Sequence, residues 1–140
     1  MTLEELDQIL PQGLHDAQIR TMTHDYERAT VNLGVSIVVG SPGEPISNRL
    51  RYRNGEILIH RVHFFAPEIP HPESAFRSPG SICFQVYPME VGVLPDEMAS
   101  AFPPNTLCYS LFILDWDSSI HIAAGDVSFS WSEPEEPQAS

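Results

Sequence analysis

The sequence predicts a mainly β domain, either an antiparallel β-sandwich or a partly open barrel, with a short N-terminal helix. Three features support this fold class: short segments in which apolar and polar residues alternate, an Asn-Gly dipeptide between two such segments, and short connections between consecutive segments. A chain of 140 residues can bury one hydrophobic core, so we expect a single domain over residues 1–131. The pattern leaves the choice between sandwich and barrel open.

The N-terminal helix is predicted by a capping box. Thr2 is the expected N-cap residue, and Glu5 stands three positions after it. Leucine and isoleucine residues then recur at helical spacing until Pro11, which cannot continue a helix. We therefore expect a helix over residues 3–10.

Two β-hairpins are predicted in the first half of the chain. Residues 15–26 and 30–39 form the first, because the second of these segments alternates with a clear period of two. Residues 46–53 and 56–65 form the other, joined by Asn54-Gly55, which favours a type I′ turn. The two antiparallel strands of the first hairpin should therefore open the sheet.

The second half of the chain contains a proline-rich loop followed by three further strands. Four prolines exclude a regular helix or central strand from residues 66–80. Strands are predicted over residues 81–87 and 106–114, and one turn of helix near residues 96–101. A turn over residues 115–119 then leads into a last strand that ends at Trp131.

That last strand has a conflict of periodicity. Ile120 and Ile122 are even-numbered, whereas Val127 and Phe129 are odd-numbered, so one regular strand would place the two pairs on opposite faces. A β-bulge at residues 123–125 would return both pairs to the core. The residues predicted to be buried are Val31, Leu33, Val35, Ile37, Val39, Leu111, Ile113, Phe129 and Trp131.

The composition indicates which partners to expect. Nineteen acidic and seven basic side chains give a formal net charge of −12, which opposes attraction to nucleic acid or to anionic lipid. A basic or neutral protein partner is expected instead, and a homo-oligomer is left open. The acidic start of the chain and its two cysteines are typical of a cytoplasmic protein, and residues 132–140 are expected to be a disordered acidic tail.

No motif identifies a reaction. The chain contains no Gly-x-Ser-x-Gly elbow, no Gly-x-Gly-x-x-Gly fingerprint and no phosphate-binding loop, and no cofactor is predicted. The alternative to a binding protein is a small metal-dependent hydrolase. Its ligands would come from His15, Asp16 or His24 together with His121 or Asp117, brought together from different strands.

The candidate binding residues are Asp115, Trp116 and Asp117. Asp115, Asp117 and Ser119 have the spacing of a calcium loop, but Ile120 stands where such a loop requires glycine. The aspartates are better explained as turn-forming residues. A tryptophan between them is then the expected partly exposed anchor for a protein partner.

Two segments carry a resemblance to a known group of proteins. The segment Leu14-His15-Asp16-Ala17-Gln18-Ile19 followed by Asp25-Tyr26, and the segment from Tyr109 to Trp116 followed by Ile120-His121-Ile122-Ala123-Ala124, resemble small bacterial β-rich proteins. Some of these are similar to immunity proteins of polymorphic toxin systems. The resemblance implies a β-rich fold and a neutralising role, and it carries over no catalytic residue. A non-enzymatic, immunity-like protein-binding domain is therefore the expected function.

Overall fold

The fold is mainly β, as the sequence predicts. A computed structural model describes residues 1–40, 43, 45, 51–74 and 80–132. Within these residues it contains six strands and two short helices. They are α1 (Leu3–Ile9), β1 (Gln18–Asp25), β2 (Thr30–Val38), β3 (Tyr52–Pro67), β4 (Ile82–Pro88), α2 (Asp96–Ala101), β5 (Leu107–Ile113) and β6 (Ser118–Trp131).

The six strands form one antiparallel sheet in the order β1-β2-β3-β6-β5-β4. The sheet curves until its two outer strands, β1 and β4, meet. They pair through two residue pairs, Gln18 with Cys83 and Ile19 with Ile82. The structure therefore decides for a partly open barrel over a sandwich, because the closure spans only a small part of either strand.

Helix α1 packs against the interior of this barrel. Thr2 is its N-cap, as predicted, and the Thr2 hydroxyl oxygen accepts a hydrogen bond from the Glu5 backbone N–H at 3.0 Å. Leu3 and Leu6 are fully buried. The Tyr109 hydroxyl fastens the helix to β5, since it accepts from the Leu3 N–H at 3.1 Å and donates to Glu4 at 2.7 Å.

The core prediction is confirmed for the central strands. Six predicted residues are buried: Val31, Leu33, Val35, Ile37, Leu111 and Ile113. Val39, Phe129 and Trp131 are only partly buried and pack against this cluster. Trp131 thus lies at the margin of the core, with its ring edge-on to Phe129 at a centroid distance of 4.9 Å.

The predicted turn at Asn54-Gly55 is wrong. Both residues lie inside β3, where Asn54 pairs with Ser36 and Gly55 pairs with Val35 on one side and with Trp131 on the other. The Asn54 side-chain oxygen accepts a hydrogen bond from the Ser36 hydroxyl at 2.9 Å. Glycine is required here by space, because a Cβ atom at Gly55 would lie 2.6 Å from the Phe129 ring.

The predicted change of face in the last strand is present. Ala124 and Val127 are both buried, so the inward-facing positions switch from even to odd across Gly125 and Asp126. The register between β3 and β6 also shifts, between Val62 and Phe64, where β3 has one extra residue. The bulge is therefore in β3, opposite the position at which it was predicted in β6, and the extra residue belongs to β3.

Several predicted segments extend beyond the described residues. Of the proline-rich loop, residues 66 and 67 belong to β3, residues 68–74 and 80 are irregular, and residues 75–79 lie outside the described part of the chain. The predicted strand over residues 46–53 is described only from residue 51, and the predicted tail only at residue 132. Among the described residues, no helix has the length and apolar character needed to cross a membrane.

Candidate functional site

The predicted binding residues lie in the four-residue loop 114–117 between β5 and β6. Asp115 is exposed, and its carboxylate accepts a hydrogen bond from the Cys83 N–H at 2.7 Å. Trp116 is partly buried against the core, and its carbonyl accepts from the His71 N–H at 2.9 Å. Asp117 is exposed and has a φ of 50°. The loop is therefore fastened to its neighbours, and its role in partner binding stays a prediction.

The residues predicted as ligands of a metal-dependent hydrolase contact different neighbours. His15 and Asp16 are neighbouring exposed residues whose side chains lie 3.3 Å apart. His24 contacts the rings of Tyr26 and Phe65, and His121 bonds to a serine and a glutamate. In the described ranges no three His, Cys, Asp or Glu side chains are grouped so that they could hold a metal ion.

The strand register places a different set of polar residues together. On the outer face of β4, β5 and β6, Tyr87 pairs with Ser110, and Ser110 pairs with His121. The adjacent row contains Gln85, Phe112 and Ser119 in the same order. Directly paired residues share a face of an antiparallel sheet, so these six side chains form one surface, which we call the outer face.

A groove with a volume of about 430 Å³ runs over the outer face. Besides the six residues just named, its lining residues are Glu68, Pro88, Glu90 and Val93. Glu68 reaches the groove because the chain continues past the end of β3 alongside β6, where the Glu68 N–H donates to the Ser119 carbonyl at 2.8 Å. This volume lies in the range of small-molecule sites.

A chain of hydrogen bonds forms the floor of this groove. The Ser110 Oγ lies 2.7 Å from His121 Nδ1, and His121 Nε2 lies 3.2 Å from Glu68 Oε2. The other carboxylate oxygen of Glu68 accepts from the Ser119 N–H at 2.7 Å. With the imidazole proton on Nε2, Nδ1 is the acceptor for the Ser110 hydroxyl. We call Ser110, His121 and Glu68 the relay.

Burial and charge differ along the relay. Ser110 is 8% exposed, the His121 side chain is 12% exposed, and the Glu68 side chain is 51% exposed. The Ser119 N–H, followed by the hydrogen bond to His121, holds the pKa of Glu68 below its usual value. Glu68 is therefore an anion at neutral pH, suited to hold the imidazole in one orientation.

A second groove lies on the other side of β4. It has a volume of about 530 Å³ and runs between β4 and α1. Gln85, Tyr87 and Pro88 contribute to both grooves and form the ridge between them. Two carboxylates, Glu4 and Asp7, line the second groove.

The relay was not predicted from the sequence. Ser110 and His121 each stand between buried residues, which indicates that both face outward. The predicted turn over residues 115–119 is centred on Asp117, which would pair Ser110 with Ala124. The observed loop is centred between Asp115 and Trp116, and it pairs Ser110 with His121. The correct turn centre was the signal that could have found the pair.

The chain was also compared with known proteins. Neither models of protein families, nor curated proteins, nor solved structures match it. The resemblance to immunity proteins therefore stays a prediction, and the functional argument depends on the geometry of the two grooves and the relay.

Proposed function

We propose that this domain binds a partner protein, and that it does so by taking a cationic, extended segment of that partner along β4. The observation that carries the proposal is the arrangement of the two grooves, which flank β4 and have carboxylates in their walls. Protein binding is also the function expected from the sequence, but the proposed binding surface is centred on the outer face and not on loop 114–117.

The charge of this surface selects for a basic partner. Glu68 and Glu90 line the groove over the outer face, and Glu4 and Asp7 line the groove beside α1. No arginine of the described part of the chain contributes to either lining. The net charge of −12 adds a long-range attraction of the same sign, which would accelerate the approach of a basic segment.

The ridge between the grooves suits long basic side chains. Tyr87 is 49% exposed, and its hydroxyl donates to the Gln85 side chain at 2.5 Å. Phe112 contributes a second ring to the groove over the outer face. Arginine and lysine side chains pack their methylene groups on such rings and gain a cation–π attraction as well.

In the part of the chain that the structure describes, the edge of β4 beyond Cys83 has no partner strand, which favours an extended partner segment. β4 pairs with β1 only at Ile82 and Cys83, although its pairing with β5 continues from Phe84 to Pro88. The Phe84 N–H points toward β1, where it donates to the Ala17 carbonyl at 3.4 Å. Because backbone groups alternate along a strand, those of Val86 point the same way, into the groove beside α1. An added strand can pair with such an edge.

The test uses two synthetic eight-residue peptides in which valine alternates with either arginine or glutamate, each carrying a fluorescent label. Association is followed by stopped-flow fluorescence at low and at high salt. The variant Glu90→Gln with Asp7→Asn removes one charge from the lining of each groove. The control Glu27→Gln with Glu56→Gln removes two exposed charges from the β1–β2 connection and from β3.

We expect the arginine peptide to bind, the glutamate peptide to fail, and the Glu90/Asp7 variant to slow association by roughly threefold or more at low salt. The control variant should change the rate much less, because its charges lie away from β4. Equal effects of the two variants would show attraction to the whole chain and would refute a defined binding surface. Absence of binding by the arginine peptide would refute the proposal as a whole.

A further inference from the structure

We propose that Ser110 is a nucleophile that accepts an acyl group from small activated esters, with His121 as its general base and Glu68 as the residue that orients the imidazole. This activity goes beyond partner binding. It depends on the three relay residues and on the groove above them.

The geometry meets the requirements of an activated serine. The distance of 2.7 Å between Ser110 Oγ and His121 Nδ1 is within reach for proton transfer, and the distance of 3.2 Å between His121 Nε2 and Glu68 fixes the opposite ring nitrogen. The Ser119 N–H in turn fixes Glu68 at 2.7 Å. Serine hydrolases use the same three kinds of group, and they are recognised by geometry and not by sequence order.

The proposed reaction begins with attack of Ser110 Oγ on the ester carbonyl carbon. The hydroxyl proton moves to His121 Nδ1, which gives an imidazolium ion paired with the Glu68 carboxylate. Collapse of the tetrahedral intermediate breaks the ester C–O bond, the alcohol or phenol leaves with that proton, and Ser110 carries the acyl group. A water molecule then attacks the acyl carbon while His121 accepts its proton, which releases a carboxylic acid and restores Ser110.

The groove indicates the class of ester. Phe112, Val93 and Pro88 supply apolar surface for a short acyl chain, and the volume of about 430 Å³ accommodates a small substrate. Glu68 and Glu90 disfavour anionic substrates by repulsion. Neutral or cationic esters of short-chain acids are therefore the expected substrates.

A second serine–histidine pair in the same sheet provides an internal control. Ser128 Oγ lies 2.8 Å from His60 Nε2, on β6 and β3. In the described part of the chain no carboxylate forms an ion pair with His60. The Ser128 hydroxyl should therefore stay unreactive if the carboxylate of the relay is what activates Ser110.

The experiment uses 4-nitrophenyl acetate as the probe and the full chain as the protein. Release of 4-nitrophenolate is followed by absorbance, and the acetylated residue is located by tandem mass spectrometry. The sequence contains no lysine, so the α-amino group is the only primary amine available as a competing acetyl acceptor. We expect acetyl on Ser110 in the unmodified protein, which identifies the nucleophile without any variant.

Variants then separate the roles. We expect Ser110→Ala to abolish the acetylation, His121→Gln and Glu68→Gln to slow it by about tenfold or more, and Ser128→Ala to leave it unchanged. Glu68→Gln should also move the imidazole proton, because a glutamine N–H donates to Nε2 and leaves the proton on Nδ1. Nitrogen NMR of the His121 ring would show this change of tautomer, which loss of packing alone would not produce.

Acetylation of Ser128 at the rate of Ser110, or nitrophenolate release that is as fast in Ser110→Ala as in the unmodified protein, would overturn the proposal. So would the absence of any acetyl-serine in the unmodified protein. None of these results depends on the cationic partner segment, so this inference can fail while the proposed binding function holds.

Discussion

Gly55 provides the sharpest test of the fold, because its surroundings contradict the turn predicted at this position. It lies within β3, and the Phe129 ring lies against its Cα atom. In a type I′ turn, alanine at Gly55 would be unfavourable because that turn requires a positive φ there. In the observed strand, alanine is unfavourable because its methyl group would meet the Phe129 ring. Two physical causes thus predict the same direction of change and must be separated.

The expected size of the effect follows from the local distances. An added Cβ atom would lie 2.6 and 2.7 Å from two carbons of the Phe129 ring and 3.1 Å from the Ser130 carbonyl oxygen, whereas ordinary contacts begin at 3.4 Å. The ring would have to withdraw by about 0.8 Å, and overpacking of this kind costs about 1–3 kcal/mol. Replacing glycine by alanine in a strand also raises the free energy of unfolding by about 0.5–1 kcal/mol, because the unfolded chain loses conformational freedom. Gly55→Ala should therefore lower the free energy of unfolding by about 1–2 kcal/mol.

A double-mutant cycle distinguishes the two causes. In the Phe129→Ala background the ring is absent, so Gly55→Ala should become neutral or stabilising, with a coupling energy of about 2 kcal/mol. Gly125→Ala is the matched control in β6, where the three atoms nearest to the added methyl all belong to the guanidinium end of the exposed Arg61 side chain. That side chain can move, so we expect a change within about 0.5 kcal/mol. Unfolding in urea, followed by circular dichroism, measures the four free energies of the cycle and that of the control. An equal cost of Gly55→Ala in both backgrounds would refute the strand assignment.

Three further predictions concern stability. Trp131 is only partly buried, so Trp131→Ala should lower the free energy of unfolding by about 2 kcal/mol, less than the ~3–5 kcal/mol of a fully buried ring; a larger loss in urea would show deeper burial. Asp115→Ala removes the acceptor of the Cys83 N–H and should cost about 1 kcal/mol, whereas Asp115→Asn should retain most of the stability; equal losses would mean that the hydrogen bond contributes nothing. Burial, together with the hydrogen bond to Glu4, raises the pKa of Tyr109 to about 12 from 10.0. Its contribution to stability is therefore complete below pH 10 and is lost as the pH rises toward 12, so unfolding free energies of the protein and of Tyr109→Phe should converge over that range; a constant difference would contradict the assignment.

The local elements were predictable because each is determined by neighbouring residues. The capping box placed the start of α1 at Leu3, and the predicted helical turn near residue 96 is α2. The first hairpin followed from the period-two alternation of β2, whose inward-facing residues are all buried. Hydrogen bonds and side-chain alternation within a few residues decide such features, so a linear pattern is sufficient to find them.

The Asn54-Gly55 prediction failed because glycine has two different uses. In a turn it supplies a positive φ, and in a strand it allows another group to approach the backbone closely. Gly55 serves the second use, and the approaching Phe129 lies 74 positions further along the chain. A dipeptide cannot distinguish these uses, since the neighbour that decides between them is brought in by the pairing of β3 with β6.

The candidate site also combines features that the sequence determines with features that only the tertiary structure determines. The sequence by itself determined an acidic chain with a core large enough for one domain, and the alternation of His121 with Ile120 and Ile122 indicates that His121 faces outward. Only the tertiary structure decided that Ser110 pairs with His121, that Glu68 completes their hydrogen bonds, and that, among the described residues, β4 keeps a free edge beside α1. The physical reason is register: which strands become neighbours, and at what offset, depends on how the whole sheet closes around its core, and no short segment of the chain contains that information.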